Sequence, residues 1–238
     1  MDIITQISFF ICFIGAFNSF LLSFYFIRKN TISSYFFGFL LFCLGIRVGK
    51  SVLFYFYADT PKTIPQIGLT ACLFIGPSLY FFLKAELEKV EIMPKKWKTF
   101  WLVLLLSTLA FGFAVPYSTY PKIWNQYVVA IIYATWGIFV LLSFLKFYPV
   151  FQKAPTPSGK WYKIILLANL LIYIVYLVAY LFRLGQVYIT GAITLSITFY
   201  LSLGMVLLQK KQQDCSALPP NMPTKKLILK AVKQSFIS

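Results

Sequence analysis

The chain has 238 residues, of which 60% are hydrophobic and 20% aromatic, while only 12% are charged. A soluble globular protein carries about 25% charged and about 45–50% apolar residues, so this composition excludes a water-soluble core and makes the bilayer the solvent. Twenty-two Lys and Arg stand against six Asp and Glu, a net charge of +16. The mean hydropathy of +0.78 is reached by long uncharged runs between short basic clusters, so the charge bears on membrane orientation before it bears on nucleic acid.

The opening "MDIITQISFF" has no basic stretch and no small-residue cleavage site, and its apolar run continues to Ile27. That is too long for a signal peptide, and the run is expected to be the first of the membrane spans. A span needs about 20 apolar residues. Seven runs qualify, about 4 to 27, 34 to 57, 64 to 84, 98 to 116, 123 to 145, 163 to 182 and 187 to 208, joined by short segments rich in Pro, Ser and Lys. Sorting the basic residues by side puts seventeen on one face, including Arg28, Lys95, Lys146, Lys160 and six in the tail, against Lys62, Lys122 and Arg183 on the other. The excess of Lys and Arg in cytoplasmic loops then places the N-terminus outside and the C-terminus in the cytoplasm. The expectation is an all-α, multi-pass protein of the plasma membrane: a seven-helix transmembrane domain over 1–209 and a basic cytoplasmic tail over 210–238.

Within the second run, "FGFLLFCLGIRVGKSVLFYFY" (37–57), Arg47 and Lys50 interrupt hydrocarbon. Three residues apart, they share a face of a helix with Phe36, Cys43 and Phe54. Gly38, Gly45 and Gly49 lie nearly opposite, and Gly45 with Gly49 forms a GxxxG that allows close approach of another helix. An Arg at a helix centre costs about 2.5–3.5 kcal/mol on insertion scales. Two readings follow: the stems snorkel to outer phosphates, or the charges face a cavity. The six acids, Asp2, Asp59, Glu86, Glu88, Glu91 and Asp214, all fall near or beyond the ends of the expected spans. A cavity-facing Arg47 would therefore meet Asp59, backbone carbonyls, polar side chains such as Asn18 and Asn169, or an external carboxylate or phosphate. These four residues, Arg47, Lys50, Asn18 and Asn169, are the candidate ligand-binding set.

The same inventory argues against an enzyme. Proton relays and cation pores need acids within spans, a retinal protein needs a Lys in the last span, and 187–208 has none. His is absent, which removes the commonest metal ligand and acid–base group. Cys12, Cys43, Cys72 and Cys215 offer no CxxC or disulfide framework. No cofactor is expected.

In the third run, Gly76-Pro77 falls in the inner half, where Pro removes a backbone hydrogen bond, as a packing kink or a hinge. The stretch "GPSLYFFLKAEL" (76–87), with "FNSFLLSFYFIRKNTISSYFFGFLLFCLGIRVGKSVLF" (17–54), resembles the membrane-embedded N-terminal halves of AraC-type transcriptional regulators found in Bacteroidetes. The resemblance implies a seven-helix sensor passing a signal to a cytoplasmic output. In that family a helix-turn-helix domain follows, but only 30 residues remain after Leu208, so direct nucleic-acid binding is not carried over. The tail, "QKKQQDCSALPPNMPTKKLILKAVKQSFIS", offers a Pro-containing linker and a short basic amphipathic helix from Thr224 to Phe236, suited to anionic lipid at the inner surface or to a cytoplasmic regulatory protein, or it is the stump of a longer regulator. The leading expectation is a membrane sensor or receptor-like domain. The alternatives are a small-molecule or lipid transporter with an anion site at Arg47 and Lys50, and a membrane subunit that binds no ligand.

Overall fold

A computed structural model describes residues 3–57, 61–153 and 157–182, and every described element is helical. The expected seventh span at 187–208 and the tail lie outside the described residues. Helix α1 (Ile3–Ile27) ends in a tight turn in which Asn30 takes a left-handed φ of 53°, a conformation Asn tolerates better than most residues. Thr31 then caps α2 (Ile32–Phe56), its hydroxyl accepting from the Ser34 amide at 3.2 Å, the arrangement that satisfies an orphan donor of a first helical turn.

Helix α3 (Thr63–Leu87) runs unbroken through Pro77 and past the expected end near residue 84. It stops where Lys89 adopts φ 47° and the Val90 amide reaches back to the Ala85 carbonyl at 3.0 Å, the Schellman form of helix termination. The last turn of the helix carries Glu86. Its carboxylate accepts hydrogen bonds from Ser33 on α2 and Tyr162 on α7 (Pro157–Leu181), so an acid that the sequence places beyond the span instead joins three helices.

After α4 (Lys95–Ala114) the chain turns into a short α5 (Pro121–Ile123), a π turn at Trp124–Val128 and then α6 (Val129–Lys153). Among the described residues, five helical stretches are long and apolar enough to cross a membrane: Ile32–Phe54, Thr63–Leu87, Lys95–Ala114, Pro121–Val150 and Trp161–Leu181, with a shorter apolar stretch at Cys12–Ile27.

The core forms where α2, α3, α6 and α7 meet. Leu40, Ile75, Leu79, Leu83, Trp136 and Leu166 are each at most 1% exposed. Small residues set the helix spacing. A Cβ built on Gly38 would lie 2.8 Å from Ile27 and one on Gly45 would lie 3.2 Å from Phe20 and Ser19, while at Gly49 nothing lies within 4 Å. The close contact of α2 with α1 therefore uses Gly38 and Gly45 rather than the Gly45–Gly49 pair. Gly76 fits against the backbone of α6, with a built Cβ 2.9 Å from Trp136 Cα.

Helix α4 is peripheral. Only 6% of its apolar window is buried, against 72% for α3. Near its start Trp97 and Trp101 pack against Phe36 and Phe81, and near its end the Gly112 carbonyl accepts from Gln66 Nε2 at 2.9 Å.

Candidate functional site: a cationic cavity between four helices

Arg47 and Lys50 stand on the face of α2 turned toward α3, α6 and α7, and both are buried, at 1% and 8% exposed. The Gly38/Gly45 face meets α1, so the helix presents its charges to the interior of the bundle. Arg47 Nη2 donates to Tyr133 Oη on α6 at 3.3 Å, and its guanidinium carbon lies 4.5 Å from the ring centroid of Tyr176 on α7. A cation over an aromatic face gains about 2 kcal/mol or more where water is excluded. Lys50 Nζ lies 5.4 Å from the Phe54 ring centroid. The stem of Lys50 is accommodated by Gly68 on α3, where a Cβ would come within 2.5 Å of Lys50 Cγ. Glycine at 68 is what lets the lysine lie between the two helices.

The two cations line a cavity of about 300 Å³. Helix α3 adds Pro65 and Leu69, α6 adds Val129 and Tyr133, and α7 adds Tyr176, Ala179 and Tyr180. At the mouth, Tyr117 from the α4–α5 connection donates to Asn125 Oδ1 at 3.2 Å, and both residues line the space. Asn125 belongs to the π turn, in which the Val129 amide bonds back five residues to the Trp124 carbonyl. Such turns are rare and recur at functional sites. The turn is fixed from outside: Trp124, 2% exposed, donates its indole N–H to the Val115 carbonyl at 2.7 Å, and Gln66 Oε1 accepts from the Tyr117 amide at 2.9 Å. Arg47 and Lys50 are the charged groups of this lining, and five side chains around them, including Leu69, Val129 and Ala179, are apolar.

The other residues singled out from the sequence lie elsewhere. Asn169 is buried at 3%, but its Oδ1 accepts from Trp136 Nε1 at 3.1 Å, tying α7 to α6 below the cavity. Asn18 is half-buried on α1 and does not line the cavity. Gly76 and Pro77 are buried in α3 against α6, about two turns beyond Leu69. The tyrosines at 117, 133, 176 and 180 and Asn125 were not singled out, although Tyr176 and Tyr180, like Asn125, Val129 and Tyr133, carry the four-residue spacing of a shared helix face. No protein-family model, characterised protein or solved structure matches the chain.

Proposed function

We propose that this chain is a receptor-like sensor domain of the plasma membrane that takes a small anion into the Arg47–Lys50 cavity and passes the signal to a cytoplasmic output. The observation that carries this reading is the burial of two cationic side chains, one turn apart, in the wall of one cavity. Placing positive charge at membrane depth is costly, and such groups mark ligand or ion sites. Seven spans with the N-terminus outside complete the proposal, since the positive-inside sorting then puts the Tyr117 and Pro65 end of the cavity toward the exterior. The likeness of 76–87 and 17–54 to the membrane halves of AraC-type regulators supports a sensor. In this reading the basic tail engages anionic lipid or an output protein.

A receptor is favoured over a transporter by what lies on the next turns inward. Cys72, Ile75 and Leu79 follow Leu69 on α3, Trp136 and Val140 follow Tyr133 on α6, and all five are at most 2% exposed. Tight packing on these turns suits a ligand that is read rather than passed through.

The test uses Asn125→Cys in a chain whose four native cysteines are replaced by Ser or Ala. A membrane-impermeant thiol reagent applied from outside should label position 125 rapidly, and organic or inorganic anions should slow the labelling. Labelling from the cytoplasmic side alone, or labelling indifferent to every anion tried, would overturn the reading. Saturable uptake of an anion into proteoliposomes would move the assignment to a transporter.

A further inference from the structure

The cavity has more room and more hydrocarbon than a simple ion needs. Its volume of about 300 Å³ corresponds to about ten waters at roughly 30 Å³ each and falls at the lower end of the range of about 300–1,000 Å³ for small-molecule sites. Phosphate or acetate would fill less than half of it. The cations and Phe54 come from α2, and α3, α6 and α7 add Leu69, Val129 and Ala179 beside the tyrosines. Aromatic rings border the same space, Tyr133 and Tyr180 among them, packed on each other at a centroid separation of 5.2 Å. An ion held at α2 alone would leave water against these apolar groups, and a ligand with an apolar body displaces that water.

Resting on the anion-receptor reading above, we infer that the ligand is a small organic acid of about ten non-hydrogen atoms, with its anionic head at Arg47 and Lys50 and an apolar body against Leu69, Val129 and Ala179. Arginine pairs equally well with carboxylate and phosphate heads. The class is therefore defined by charge and body together, not by the acid group.

The experiment is isothermal titration of the full chain in zwitterionic nanodiscs with five probes: phenylacetate, phenyl phosphate, acetate, inorganic phosphate and the neutral 2-phenylethanol. Phenylacetate and phenyl phosphate should bind at least tenfold more tightly than acetate and inorganic phosphate, and 2-phenylethanol should not saturate. Ala179→Phe, which fills the apolar part of the cavity, should weaken the aryl anions at least tenfold and spare acetate. If Ala179→Phe does not fold, the five probes on the native chain decide the matter alone. Small ions binding as tightly as aryl anions would overturn the organic-acid inference and leave the anion receptor standing. Binding by no anion, or by the neutral alcohol as tightly as by phenylacetate, would overturn the receptor reading itself.

Discussion

Two glycine-to-alanine substitutions, Gly76→Ala and Gly49→Ala, are the same chemical change at positions with opposite surroundings. At Gly76 the new methyl would lie 2.9 Å from Trp136 Cα and 3.1 Å from Phe139 Cβ, inside the favoured carbon–carbon separation of about 3.5–4.0 Å. Helices α3 and α6 must then part by about 0.6 Å or more at that point. Trp136 cannot give way cheaply, because its indole N–H is held by Asn169 on α7. Overpacking of this kind costs about 1–3 kcal/mol. Alanine recovers at most about 1 kcal/mol through helix propensity, and less in a bilayer, where the denatured helix keeps its hydrogen bonds. Gly76→Ala should therefore destabilise by about 1–2 kcal/mol, while Gly49→Ala, with open space around it, should be neutral or stabilising by up to about 1 kcal/mol. At about 2–4 °C per kcal/mol for a chain of this size, Gly76→Ala should lower Tm by about 2–8 °C. The assay is thermal unfolding in mild detergent, read by a thiol-reactive dye at the buried Cys12, Cys43 and Cys72, with Cys215→Ser to remove background. Equal destabilisation by the two substitutions, or an unchanged Tm for Gly76→Ala, would refute the packing argument.

Further outcomes follow from single residues. Lys89→Gly relieves a left-handed conformation worth roughly 1–2 kcal/mol to a side-chain-bearing residue, offset in part by glycine's freedom in the unfolded chain, so Tm should rise by about 2–4 °C in the same assay. Tyr162→Phe deletes a hydrogen bond to the Glu86 carboxylate and should cost about 1–2 kcal/mol. In the Glu86→Gln background, the cost measured by a double-mutant cycle should shrink. Gly68→Ala drives a methyl into the Lys50 stem and should weaken phenylacetate binding about tenfold, roughly the loss of one charge-assisted hydrogen bond, in the nanodisc titration. An unchanged affinity would mean that Lys50 takes no part in holding the anion.

The sequence foretold the helices better than the contacts between them. Five of the expected spans coincide within a few residues with described helices, because apolar run length is what a bilayer selects. The inward turn of Arg47 and Lys50 is one of two readings that the sequence leaves open, since the glycine stripe of α2 serves equally well as an inward face. Two side chains take roles that neither polarity nor position reveals. Asn169 and Glu86 were judged by polarity and by position along the chain, but each is used between helices, by Trp136 in one case and by Ser33 and Tyr162 in the other. Pairings across 33 to 76 residues leave no local trace. The tyrosines of the cavity were hidden for another reason. In a chain with 16 Tyr and 26 Phe, an aromatic ring at helical spacing is the background, and only Arg47 distinguishes Tyr133 and Tyr176 from the rest. The π turn had no signature, since one surplus residue leaves no mark in the spacing of so short a segment.

That surplus residue sets an angle. A π turn accommodates one residue more than the α-helix needs, and each helical residue turns the chain by about 100°. If the same residues closed as ordinary α-helix, with none removed, the turn would carry one residue step too many. Everything before it, from Pro121 to Asn125, would swing about 100° around the axis while Tyr133 kept its place on Arg47. Trp124 would leave the Val115 carbonyl and Asn125 would leave the mouth. The cavity thus owes its rim, but not its cations, to a single residue of excess length.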